Sequence, residues 1–318
     1  LDVATRELAS ELVRREKVGR GPSLDLLLVS FSGTDTVGHT HGIESPEMAA
    51  QLAGLDKEFS ILLTELEKAS GGDLVLALSS DHGAAPEPER PLGKASGIRR
   101  LDWLEFGKSL EAALQAKWPA PDKRWIVSYQ VPHLYLDRAM LARRDVRDVA
   151  GVLAKAAGVH QVYVPADVQA GRHDADPLVD VLRRSIRADR TGDLFLVTAQ
   201  GVLLHDKIPG TSHGSPWTYD AAVPLAFWGK GVKKGRYDVP AAVVDLAPTF
   251  ARLFGLAYPP GDGGAVRLEA LAWLGDRPGR VTVIGAPELS ALYVSALARR
   301  GIVSTLGLPD AAARGLLR

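Results

Sequence analysis

Apolar positions along the first eighty residues fall into two periods. In residues 1–17, Ala4, Leu8, Leu12 and Val13 share one helical face, and GRGPS (19–23) interrupts the pattern. DLLLVSF (25–31) is continuously apolar rather than alternating, which predicts a strand buried on both faces. Ser45 and Pro46 then mark a helix start, as N-cap and first helical residue. Met48, Leu52, Leu55, Phe59, Leu62 and Leu66 keep the helical period until Gly71-Gly72. DLVLALSS (73–80) predicts a second buried strand. Strand, helix and strand with short connections form a βαβ unit, so the two strands are expected to be parallel neighbours. The stretches that follow them, FSGTDTVGHTHG (31–42) and Asp81-His82-Gly83, are then expected as loops at one sheet edge.

The middle of the chain breaks this rhythm. EPERP (87–91) reads as loop, and helices are expected near 101–117, 138–157 and 178–187. WIVSYQVPHLYL (125–136) and QVYV (161–164) carry strand material, and GDLFLVTAQGVLL (192–204) predicts a hairpin around Gln200-Gly201. From residue 210 the core pattern returns: a Gly/Ser-rich loop with His213, a buried strand VPLAFWG, and a helix DLAPTFARLFG (245–255) with Asp245 as N-cap and Gly255 as stop. The expected fold is α/β, a mostly parallel central sheet flanked by helices. Residues 1–85 and 205–270 form its core, 86–204 an inserted cap subdomain, and 271–318 a C-terminal βα extension.

Composition narrows the function classes. The 318 residues are 46% hydrophobic, enough for a sizeable core. Lys plus Arg and Asp plus Glu both number 38, so bulk charge gives no argument for a nucleic-acid or anionic-membrane partner. With no cysteine, any metal must be held by His, Asp and Glu. No apolar run reaches the ~20 residues of a membrane helix. No signal-peptide pattern occurs in these residues.

The chemistry-bearing residues gather at three expected sheet-edge loops: Asp35 with His39, Asp81 with His82, and His213. Two carboxylates and three imidazoles make a zinc-type donor set, and imidazole disfavours calcium. Asp35, His39 and His213 would make one three-ligand site, and Asp81 and His82 half of a second. Two metals about 4 Å apart suit in-line phosphoryl transfer. His41, His133, His160, His173 and His205 are read as ordinary structural or solvated histidines. Arg183, Arg184, Arg187 and Arg190 read as a solvated helix face, and GKGVKKG (229–235) lacks the strand–loop–helix context of a phosphate loop.

FSGTDTVGHTHG, LALSSDHGAA and GTSHGSPWTYDAAVPLAFWG resemble the later motifs of the alkaline phosphatase superfamily. The likeness is to its single-chain zinc phosphatases, which are related to type I phosphodiesterases and nucleotide pyrophosphatases. VVDLAPTFARLFGLAYPPG (243–261) is similar to the stretch that closes that domain, so the resemblance covers about residues 5–270. It implies two zinc ions, Asp35, His39 and His213 on the first and Asp81 and His82 on the second. It also implies a small-molecule phosphate ester as substrate and a periplasmic or secreted location. The family's Thr or Ser nucleophile, and an Asp completing the second site, normally precede the GTDxxGH motif by a long stretch. Neither has a match here, where only 34 residues precede Asp35. The chain therefore reads as the C-terminal portion of a two-zinc phosphatase-type hydrolase, inactive by itself; the alternatives are a phosphodiesterase or nucleotide pyrophosphatase of the same superfamily, or a catalytically inactive metal-binding remnant. Ser32, Thr34 and Thr36 lie near the motif and are not assigned the nucleophile's role. The tail, RVTVIGAPELSALYVSALARRGI (280–302) with LPDAAARGLL (308–317), faintly resembles the last segment of 2-keto-3-deoxygalactonate kinases.

Overall fold

The computed structural model of the chain describes residues 1–187, 189–257, 264–267, 271 and 304–306. These form two compact units, one of Leu1–His41, Ser45–Gly83 and Ala222 onward, the other of Gly42–Glu44 and Ala84–Ala221. The expected tail strand and helix (280–302) lie outside the described residues.

The first unit is built on strand Val75–Ser79, which pairs antiparallel with Leu225–Gly229; that strand in turn pairs antiparallel with Ser304–Leu306. Alternation explains why Leu74 to Leu78 are apolar throughout. Leu74, Leu76 and Leu78 enter a core with Leu55, Phe59, Leu62 and Leu66 of helix Pro46–Ser70 and with Ala9 and Val13 of helix Asp2–Arg15. Val75 and Ala77 point the other way, onto Phe250, Leu253 and Phe254 of helix Leu246–Phe254. The long helix begins and ends on its sequence signals. Ser45 Oγ accepts from the Met48 N–H at 3.0 Å, Pro46 follows, and Gly71 closes it in the left-handed conformation at φ 61°. Asp245 does not cap helix Leu246–Phe254 from its side chain. Its carboxylate reaches back to the Ala242 N–H (2.8 Å) and across to the Ala265 N–H (2.7 Å).

Residues 25–31 depart from expectation. They make no strand ladder, and their burial alternates: Leu27, Val29 and Phe31 are buried, whereas Leu26 and Leu28 are 61% and 70% exposed. The buried three join the same core as Leu74, Leu76 and Leu78. The expected parallel pairing with 73–80 is absent among the described residues; the one described ladder partner of Val75–Ser79 is Leu225–Gly229, and it is antiparallel. A continuous apolar run needs cover on both faces, and here the described residues cover only one.

FSGTDTVGHTHG is also not a loop. Residues Gly33–His41 are helical, despite two glycines and three threonines. Asp2 supplies the missing support: its Oδ1 accepts from the Gly33 N–H at 3.0 Å, at the position of an N-terminal cap. Its Oδ2 accepts from Gln51 Nε2 of the neighbouring helix. Thr36 and Thr40 donate to the Ser32 and Thr36 carbonyls, so their hydroxyls follow the helix rather than compete with it.

The second unit centres on a four-stranded antiparallel sheet. Hairpin Ile126–Gln130 and His133–Leu136 is followed across the sheet by Leu194–Thr198 and then Val159–Tyr163. Helices Trp103–Lys117 and Val146–Leu153 cover one face and Val179–Ser185 the other. The helix expected over 138–157 is two helices, because Asp145 caps a new start by accepting from the Arg147 N–H at 2.8 Å. The expected hairpin at 192–204 does not form. Leu194–Thr198 is an interior strand with both edges paired, so Val202–Leu204 turns away at Gly201 (φ 78°) and pairs in parallel with Arg99–Leu101.

Candidate active site

Helix Gly33–His41 puts Asp35 and His39 one turn apart on one face, since i and i+4 differ by only ~40° around the axis. His39 Nε2 lies 2.9 Å from Asp35 Oδ1. Both side chains are accessible, at 37% and 29% exposure, as a site open to a small ion or ester requires. His41 lies about 240° from Asp35 on the same helix, so it faces elsewhere, and its Nδ1 is 4.0 Å from Glu47.

Asp81 and His82 follow the end of strand Val75–Ser79. Two serine hydroxyls shape this turn. Ser79 Oγ donates to the Pro224 carbonyl at 2.9 Å, fixing the strand's end, and Ser80 Oγ donates to the His82 carbonyl at 2.7 Å. His82 is 19% exposed. Its Nδ1 lies 2.8 Å from the Gly83 carbonyl, which can only accept. Nδ1 therefore carries the proton of the neutral ring, and Nε2 carries the lone pair. That is the arrangement of a metal-binding histidine oriented by a backbone carbonyl. Asp81 is more exposed, at 58%, with Oδ2 3.8 Å from His82 Nε2.

The structure brings the two stretches together at one point. Asp35 and His82 each offer a ligand atom within 4.8 Å of the other.

His213 belongs to the second unit, in a loop with its own supports. Thr211 Oγ1 donates to the Ala85 carbonyl, and the Ala85 N–H donates to the Ser212 carbonyl at 3.3 Å. Beyond it, the buried Asp220 accepts from the Ser215 N–H (2.8 Å) and hydroxyl (2.6 Å). His213 is thus gripped from both sides in sequence. Gly214, at φ 105°, occupies a conformation that other residues rarely take.

Sequence reasoning missed the supporting residues. Asp2 lies outside every motif, Ser80 and Asp220 lie inside quoted stretches without being singled out, and the roles of all three depend on contacts seen only in the fold. Glu87, in a segment read as loop, is 1% exposed and accepts from the Ile43 N–H at 2.9 Å. A side chain at Gly42, at φ 84°, would meet the Glu87 carboxylate, so glycine is required there. Three of the other histidines have structural settings. His133 Nδ1 accepts from the Gly192 N–H at 3.3 Å, while His160 and His173 pack edge-on to Trp217 and Tyr163.

With this geometry in place, likeness to known proteins becomes specific. The family model for type I phosphodiesterase / nucleotide pyrophosphatase matches residues 2–219. The chain belongs to that family. Within the alkaline phosphatase superfamily, it is 30% identical over 272 residues to alkaline phosphatase PhoK of Sphingomonas sp, covering 81% of this chain and 48% of the relative. It is 28% identical over 282 residues to alkaline phosphatase PafA of Elizabethkingia meningoseptica, covering 84% and 50%. The crystal structure of wild-type PafA superimposes with a TM-score of 0.74 at 27% identity, over 84% of this chain and 52% of that one. The fold is therefore α/β and alkaline-phosphatase-like, although all but one of its described strand pairings are antiparallel. This phosphodiesterase-family chain spans about half the length of the curated relatives it matches. None of its described helices is long and apolar enough to cross a membrane.

Proposed function

We propose that this chain is the metal-holding portion of a phosphate-ester hydrolase of the alkaline phosphatase type, working with two zinc ions. The observation that carries the reading is the approach of Asp35 and His82 to within 4.8 Å from separate stretches. That separation suits ligands of one ion, or of two ions about 3.5–4 Å apart. The donors fit zinc by type: carboxylate oxygen and imidazole nitrogen, with one imidazole oriented by a carbonyl. In this reading Asp35, His39 and His213 hold one ion, and Asp81 and His82 hold the other.

Bound zinc would polarise a phosphoryl oxygen and favour the ionised form of an attacking oxygen near neutral pH. The chain's residues would do the holding and aiming. Asp35 and His39 present their donors from one helical face. Gly83 keeps the His82 proton on Nδ1. Asp81, more exposed, would be the more weakly fixed ligand.

No residue of this chain is assigned as nucleophile. Thr36 donates to the Ser32 carbonyl, and Thr34 is buried at 4% exposure. The chain alone is therefore expected to hydrolyse esters slowly or not at all, with the nucleophile in the part of the relatives that it does not span. Its likeness to alkaline phosphatases also supports a site of action outside the cytoplasm.

The test is zinc-dependent hydrolysis of p-nitrophenyl phosphate by this chain, beside its His39→Ala variant. Turnover near the uncatalysed rate in both is expected. Rapid turnover abolished by His39→Ala would contradict the proposed division of parts. The family match favours a second reading, a diester or pyrophosphate substrate. Assay of the longest natural form with p-nitrophenyl phosphate and bis-p-nitrophenyl phosphate separates the two.

A further inference from the structure

We propose that Arg100 is a positioning residue for His213: together with Glu89 it clamps the loop that presents this histidine, and so sets how tightly the site holds its metal. The inference rests on the reading that His213 is a metal ligand. Three observations combine. The first is the clamp itself. Arg100 Nε and Nη2 donate to the two carboxylate oxygens of Glu89 at 3.0 and 2.8 Å. Nη1 donates to the Lys207 carbonyl at 2.8 Å, and Nη2 also donates to the Gly210 carbonyl at 3.0 Å. One planar guanidinium thus serves a carboxylate and two backbone carbonyls at once, which a lysine ammonium cannot reproduce.

The second observation is what the clamp stands on. Arg100 belongs to strand Arg99–Leu101, whose parallel ladder with Val202–Leu204 is extended by the His205 N–H donating to the Leu101 carbonyl at 3.0 Å. Glu89 is equally well founded. The neighbouring Glu87 is buried and accepts from the Ile43 N–H through its side chain, while its carbonyl accepts from the Arg90 N–H at 3.0 Å. A side chain at Gly93 would collide with that same carbonyl, so the turn is closely packed. The Arg100 guanidinium also holds the Glu89 carboxyl below its ordinary pKa, as a formed ion pair requires.

The third observation is what the loop otherwise lacks. Among the described residues, no backbone group of residues 206–210 makes a backbone–backbone hydrogen bond, and Ile208 is 66% exposed. The two bonds from Arg100 are therefore the polar support of this entry to the His213 loop. Ala85 grips the loop at Thr211 and Ser212, and the Arg100–Glu89 pair grips it at Gly210. Ala85 and Glu89 lie on one segment. Two grips from one segment fix an orientation that a single grip leaves free, and an oriented ligand binds metal more tightly.

The experiment pairs zinc titration against a competing chelator with hydrogen–deuterium exchange in excess chelator, on Arg100→Ala, Arg100→Lys and Glu89→Gln. Arg100→Ala and Arg100→Lys should each bind zinc about tenfold more weakly, the loss expected on removing an outer-shell partner, and Glu89→Gln should lose less. Without metal, the amides of Gly210, Thr211 and Ser212 should exchange at least about tenfold faster in Arg100→Lys, with those of Val202–Leu204 unchanged. Combined with His213→Ala, Arg100→Lys should weaken zinc binding no further, because it acts through that histidine. Unchanged zinc affinity in Arg100→Lys and Glu89→Gln would overturn the positioning role, as would losses that add to that of His213→Ala. Unchanged exchange at residues 210–212 would overturn the clamp. A parent chain that binds no zinc would overturn the ligand reading, and the metal-free exchange would still decide whether Arg100 holds the loop.

Discussion

Asp2 holds Gly33. The first carboxylate of the chain accepts from the first N–H of the helix that presents Asp35 and His39, 31 residues further on, at 3.0 Å. Its other oxygen ties the same point to Gln51 on the long helix. Asp2 is 7% exposed, so both bonds are shielded. Asp2→Ala should cost about 1–2 kcal/mol in urea unfolding of the first unit, the range for a lost helix cap. If the proposed metal centre is right, it should also weaken metal binding, because the helix that carries Asp35 and His39 loses its fixed start. Asp2→Asn keeps an acceptor for Gly33 and should cost less. Equal losses in the two variants would show that the cap is not what matters.

A second prediction concerns the sheet of the other unit. Glu111 accepts from the Trp125 N–H and the Ile126 N–H, each at 2.9 Å, and so caps the start of the hairpin strand. Trp125 and Ile126 are 1% and 8% exposed, leaving their amides little water to turn to. Glu111→Ala should destabilise this unit by about 1–3 kcal/mol, the cost of orphaned buried donors. Glu111→Gln retains one acceptor and should fall between. Urea melts of both variants, followed by Trp fluorescence, check this.

The pH dependence of the second unit follows from His133. Burial lowers its pKa from the ordinary value of 6.5, and its Nδ1 accepts from the Gly192 N–H, which needs the neutral ring. The folded state thus binds fewer protons than the unfolded state just below that ordinary value. Stability is full above it and is lost as pH falls through the depressed folded pKa. Between pH 7 and pH 5 the melting temperature of the unit should drop. His133→Asn, which cannot titrate, should flatten that slope. An unchanged slope would assign the dependence to other groups.

Much of this architecture was legible in sequence because it is local. The start and stop of helix Pro46–Ser70 follow from Ser45, Pro46 and Gly71, each acting within a few residues. Val75–Ser79 was readable because cover on both faces demands an unbroken apolar run. The same signal misled at residues 25–31, where the run is just as apolar but Leu26 and Leu28 meet no cover among the described residues. Helix Gly33–His41 could not be read because its support is Asp2, remote in sequence. The hairpin at 192–204 failed because Leu194–Thr198 had already used both edges on strands that no local pattern names. The candidate donor residues stand out in sequence by type and spacing. What positions them, from the Gly83 carbonyl at His82 to the Asp220 carboxylate near His213, became visible only in three dimensions.

The most direct test of the proposed metal centre is a zinc titration against a competing chelator, comparing the chain with Asp35→Ala, His82→Ala and His41→Ala. The first two variants should each lose more than about 100-fold in apparent affinity, beyond the effect of removing an outer-shell partner. His41→Ala should bind as the parent does. Zinc binding that survives both Asp35→Ala and His82→Ala unchanged would contradict the assignment of this site.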